Sequence, residues 1–244
     1  MISGSGAVTV NGSGSLTLNA ANSYTGKTTI ASGSTLLLGS SGSLASTNIY
    51  LASGTLDVSA VASPSLGSTE TLSGSGAVNA GSGTLTVNGN ITPLVGGNNG
   101  LISLTGGLTL AGSSTTTLEL TSATTAGSTY DAISASGVLT YNGLLDIVIN
   151  GAPSYGTYDL FSGGSFSGNF TNVILTGTWD TGTFTNTGSA WSFTDTGGSN
   201  NITFTQGSGD AVISLVPEPS SLVLMGLGMF TALLVGRKIR RKSA

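Results

Sequence analysis

Ten carboxylates and six Lys or Arg side chains make up the charged chemistry of this 244-residue chain, which contains neither histidine nor cysteine. That excludes a Ser-His-Asp triad, a Cys-His dyad, a thiolate or imidazole zinc site, a c-type haem attachment and any disulfide. Lyase chemistry needs a strong base, but residues 1–236 hold only Lys27, against Asp57, Glu70, Glu119, Asp131, Asp146, Asp159, Asp180, Asp195, Asp210 and Glu218, a formal charge of 1 − 10 = −9. A glycoside hydrolase needs two carboxyls roughly 5 to 10 Å apart. No two acids within residues 1–215 are near neighbours in sequence, so only stacking could pair them. Asp131 with Asp146, and Asp195 with Asp210, are the pairs that stacking leaves open; solvated surface acids are the alternative. No calcium-binding G-G-x-G-x-D repeat or EF-hand loop occurs. Gly4-Ser5-Gly6 lacks the following glycine and helix of a nucleotide site and reads as a turn. No cofactor is expected, and an acidic body repels nucleic acid.

The other five bases, Arg237, Lys238, Arg240, Arg241 and Lys242, all fall in the last eight residues. Before them, the run from Pro219 to Gly236 carries no charge. As a helix it would span about 27 Å, close to a hydrocarbon core, and the basic flank orients that end to the cytoplasmic side. On length alone a buried core helix is the rival reading. Pro217 and Pro219 each lock φ at about −65° and hold their predecessors extended. They separate a helix at 220–236 from whatever precedes it and display Glu218 on a stiff peptide.

The elements that must carry this tail are β-strands. Glycine (39), serine (38) and threonine (36) fill almost half of the positions, and charged residues are only 7%. Such a composition disfavours helix, while a hydrophobic content of 38% and a mean hydropathy of +0.31 favour a folded core over disorder. Ser3-Gly4-Ser5-Gly6-Ala7-Val8 recurs unchanged at Ser73-Gly74-Ser75-Gly76-Ala77-Val78. An apolar-x-apolar triplet begins at Leu16, Leu36, Leu56, Leu85, Leu108 and Leu118, with equal intervals from Leu16 to Leu36 and from Leu36 to Leu56. Alternation turns Leu and Val inward and sends Thr17, Asp57, Thr86, Thr109 and Glu119 to solvent. The spacing predicts a right-handed parallel β-solenoid (β-helix), one coil per repeat, with Leu16, Leu36, Leu56, Leu85 and Leu108 in inward ladders; an antiparallel sandwich is the rival. Twelve of the fifteen aromatic residues lie between Tyr130 and Phe204, so residues 1–129 read as thin Gly/Ser/Thr-rich coils and 130–215 as an aromatic-richer continuation or cap. Residues 216–244 form the third part.

Pro217-Glu218-Pro219, the hydrophobic run and the basic tail together resemble a PEP-CTERM sorting signal. That resemblance implies export in a Gram-negative bacterium, transient anchoring in the inner membrane, recognition and cleavage by an exosortase, and delivery to the cell surface or an extracellular polysaccharide matrix. Asn22-Ser23-Tyr24-Thr25-Gly26-Lys27-Thr28-Thr29-Ile30, with Gly33-Ser34-Thr35-Leu36 and Gly42-Ser43-Leu44, is similar to the autotransporter-associated β-strand repeat, although Lys27 stands where that repeat more often has glycine. Tyr130-Asp131, Tyr158-Asp159-Leu160-Phe161 and Phe166-Ser167-Gly168-Asn169-Phe170 resemble the closing segment found before such signals. Export requires a leader, and Met1 to Gly6 supplies neither a basic nor an apolar region, so a missing N-terminal segment is expected. Three functions follow as expectations: a non-enzymatic structural or adhesive protein that meets exopolysaccharide, a glycan-active enzyme, or an autotransporter-like passenger.

Overall fold

The computed structural model describes residues 1–93, 98–122 and 125–216. The protein is all-β; among the described residues there is no helix, and strands group into sheets of fifteen, five and two. Contacts divide the chain into a compact unit, Met1–Ser214, and a second unit, Leu215–Ala244.

Apart from Ser23–Tyr24, which pairs in parallel with Ser3–Gly4, and Gly156–Asp159, the strands between Val8 and Thr176 pair with one another in parallel, one repeat stacked on the next. One column of register partners runs Val8, Thr28, Ile49, Leu72, Ile91, Thr116, Leu145 and Val173. Leu16, Leu36, Leu56, Val78, Leu104 and Ala135 form a second. The third is Leu85, Leu108, Leu139 and Phe166. Apart from Val8, Leu16 and Phe166, which are half-buried, these side chains are buried. Each fully buried Leu or Ile contributes about 1.5 to 3 kcal/mol, so the columns are the main source of stability.

The five leucines expected in inward ladders therefore occupy two columns. Leu16, Leu36 and Leu56 share one, Leu85 and Leu108 the other, and Leu118 pairs with Ile147 in yet another. The reason is that the repeat lengthens. Leu16, Leu36 and Leu56 follow in equal steps, but the step from Leu108 to Leu139 is half as long again. From Thr71–Val87 onward one strand is long enough to continue the second column at Val78 and to join the third at Leu85.

Long strands bend where they pass between columns. Asn48–Asp57 pairs with Thr28–Ala31 through its first half and with Thr35–Leu38 through its second, with the change at Ser53 and Gly54. Ser53 has a φ of 63°, the one non-glycine residue with positive φ among those described. A Cβ on Gly54 would lie 2.6 Å from the Ala31 carbonyl oxygen, and one on Gly76 would lie 2.5 Å from the carbonyl of Gly54. Successive backbones approach so closely at this bend that only glycine fits, which explains the Gly-Ser phrases.

After Thr176 the pairing changes direction. Gly182–Thr183 adds antiparallel to Asn172–Thr176, and a five-stranded antiparallel sheet follows, in the order Gly156–Asp159, Asp210–Leu215, Asn200–Thr205, Ala190–Thr194, Thr185–Asn186. The core here is aromatic: the Tyr141 ring lies 5.2 Å from Phe161, 4.9 Å from Phe170 and 6.0 Å from Phe204.

Candidate functional site

Pro217, Glu218 and Pro219, the run 220–236 and the bases Arg237, Lys238, Arg240, Arg241 and Lys242 lie outside the described residues. Among the described residues no helix is long and apolar enough to cross a membrane. What the structure does show is the strand that leads to the motif. Asp210–Leu215 is an interior strand of the antiparallel sheet, flanked by Gly156–Asp159 and Asn200–Thr205. Ala211 and Ile213 are buried, whereas Leu215 is 60% exposed. The last buried–exposed alternation thus ends just before Pro217.

The body's acids fall into separate settings. Asp131 is 1% exposed and accepts hydrogen bonds from the backbone N–H of Gly100 (2.7 Å) and of Glu119 (2.9 Å), joining three chain segments. Burial pushes its carboxyl up from 3.8 to about 6 against the lowering effect of those donors. Asp146 sits in register with Thr117 and Ile174 and accepts from the Thr176 hydroxyl at 2.7 Å, with burial raising it as well. Asp195 belongs to a surface turn, where the N–H of Asn200 first, then its side chain and the N–H of Ser199, hold it below the usual carboxylate range. The charged neighbour of Asp131 is Glu119, and that of Asp195 is Asp180. Neither pairing left open by the sequence appears in these interactions.

A different pair does form. Asp159 and Asp210, distant in sequence, are directly opposed across the antiparallel ladder. Opposed residues of such a ladder have Cβ atoms about 4.5 to 5.5 Å apart. Burial, and then the charge of Asp210, raises Asp159 above the ordinary carboxylate range. Sequence spacing carried no hint of this contact, because it depends on which strand returns beside 156–159. Among the described residues no group of three or more acids is placed to hold a metal ion. Lys27 lies with its ammonium 3.9 Å over the Tyr50 ring.

The outward faces repeat as regularly as the core. Ser65, Thr86, Thr109, Thr140 and Ser167 are successive register partners, and the last two share a hydroxyl–hydroxyl hydrogen bond of 2.9 Å. Asn48, Thr71, Asn90 and Thr115 form another polar column. Asn79 donates to its register partner Asp57 at 2.9 Å. Neighbours in these columns are about 4.8 Å apart, a ladder of hydrogen-bond donors and acceptors.

Residues 215–242 match the PEP-CTERM protein-sorting motif. No curated protein and no solved structure matches the chain. The motif supports export with exosortase-dependent sorting through a membrane-anchored C-terminal signal.

Proposed function

We propose that this is a non-enzymatic protein of the cell surface or extracellular matrix, sorted and cleaved by an exosortase, whose body is a right-handed parallel β-solenoid presenting polar columns to polysaccharide. The observation that carries the reading is the sorting motif at 215–242, placed directly after a body whose outward positions repeat Ser, Thr and Asn in register. Parallel pairing of each strand with one a repeat later supports the solenoid, and the right hand follows from the general preference of parallel crossovers. Hydroxyls and amides spaced along a rigid face suit the alternating donors and acceptors of a sugar chain. Many weak contacts along one strand then add through multivalency.

Asp159 and Asp210 favour a second reading, that of a glycan hydrolase. Opposed on one ladder, the two side chains supply a pair of carboxylates for a two-carboxyl mechanism, with the raised Asp159 as acid. One experiment separates the two. The protein is incubated with a panel of extracellular polysaccharides while retention and chain length are both measured. Retention without shortening supports the matrix reading. Shortening that is abolished by Asp159→Asn overturns it in favour of the enzyme.

A further inference from the structure

A cavity of about 160 Å³ opens between the segments Gly42–Leu44 and Val61–Leu66. Its inner wall is made by the buried side chains of Leu38, Leu56 and Leu85, and half-buried Leu44 and Val61 flank it nearer the surface. One charged group lines it. Glu70 accepts the N–H of Gly67 on Oε2 at 2.6 Å, and its other oxygen has no partner among the described residues. Among the described residues Lys27 is the one basic side chain, and its ammonium is engaged with the Tyr50 ring.

We propose that this cavity is a binding site for a small organic cation with a compact apolar body, of the size of benzylammonium, its ring against Leu38, Leu56 and Leu85 and its ammonium on the free oxygen of Glu70. The volume fits: an apolar cavity of about 150 Å³ is enough to hold benzene. The sign of the charge fits too, because a half-buried carboxylate with no basic side chain beside it among the described residues is stabilised by a cation, and the acidic body raises the local concentration of cations. A neutral ring of the same size gains only the apolar contact. An anionic one is repelled by Glu70.

The test is titration of the full-length chain with benzylammonium, toluene and benzoate, followed through the methyl resonances of Leu44, Val61 and Leu66. Benzylammonium is expected to shift these resonances at least tenfold more tightly than toluene, and benzoate not at all. Glu70→Gln, which keeps an amide oxygen for Gly67, should weaken benzylammonium at least tenfold while leaving toluene unchanged. Val61→Phe, which puts a ring in the mouth, should remove binding of both. An unchanged melting temperature in each variant shows that the fold is kept. Equal affinity for toluene and benzylammonium, binding of benzoate, or no shift with any probe overturns the proposal.

Discussion

The parallel stack before residue 120 and the aromatic end after residue 130 solve the same problem with different side chains. In the first, Leu16, Leu36, Leu56 and Val78 lie one above another, and every repeat contributes an aliphatic residue to a narrow interior. In the second, Tyr141, Phe161, Phe170 and Phe204 converge from four separate segments, with ring centroids between 4.9 and 6.0 Å apart. A stack of like coils has nearest-neighbour energetics and no natural end. Large rings and a switch to antiparallel pairing supply an end, because the strands Ala190–Thr194 and Asn200–Thr205 return on one another instead of adding in parallel. The strand leading to the sorting motif belongs to that closing sheet.

The largest expected effect tests the first region. Leu56→Asp places an unpaired charge in the middle of a column and should cost several kcal/mol, enough to abolish the cooperative unfolding transition. Phe204→Ala leaves a cavity in the aromatic end, with an expected loss of about 3 to 5 kcal/mol in denaturant unfolding. If the two regions are one cooperative unit, both variants shift a single transition. If the closing sheet unfolds by itself, Phe204→Ala splits the curve.

A pH series sharpens the boundary between the regions, where Asp131 sits. Its carboxyl is raised from 3.8 to about 6, so the folded protein binds this proton more tightly than the unfolded chain. The stabilising effect of protonation is complete below pH 3.8 and is lost as pH rises through about 6, a difference of about 3 kcal/mol. Glu70, Asp146 and Asp159 are also raised by burial and act in the same direction. Lowered Asp57, Asp180 and Asp195 act oppositely, but all three lie at the surface, where screening weakens them. The melting temperature should therefore rise from pH 7 to pH 4, and Asp131→Asn should flatten most of that slope.

The smallest effects run in the stabilising direction, one in each region. Among the described residues, Thr116 Oγ1 and Tyr141 Oη are buried without a hydrogen-bond partner. Thr116→Val and Tyr141→Phe remove those orphaned hydroxyls while keeping shape, and each should gain about 1 kcal/mol in unfolding free energy. A loss in either variant would mean that the hydroxyl is satisfied.

Alternation made the inward direction of Leu36, Leu56, Leu85, Leu108 and Leu118 legible in the sequence, and the even spacing of Leu16, Leu36 and Leu56 matched their register. The division of the leucines into separate columns was not legible. It depends on how far each strand runs before the chain bends, and the Gly-Ser phrases mark bends without saying which column follows. The Asp159–Asp210 pair and the burial of Asp131 were hidden for a related reason: both arise from long-range pairing that local pattern does not encode. The sorting motif was the most legible part of the molecule, since its information is linear: two prolines about a glutamate, an uncharged run and a block of bases.

The central claim is that the chain is delivered through this motif, and mass spectrometry of the mature C-terminus tests it most directly. Expressed behind an export signal in a host that carries an exosortase, the protein should lose its tail near Pro217 to Pro219, and Glu218→Ala should leave it unprocessed. A released protein that still ends at Ala244, or a Glu218→Ala variant processed like the parent chain, would contradict the account.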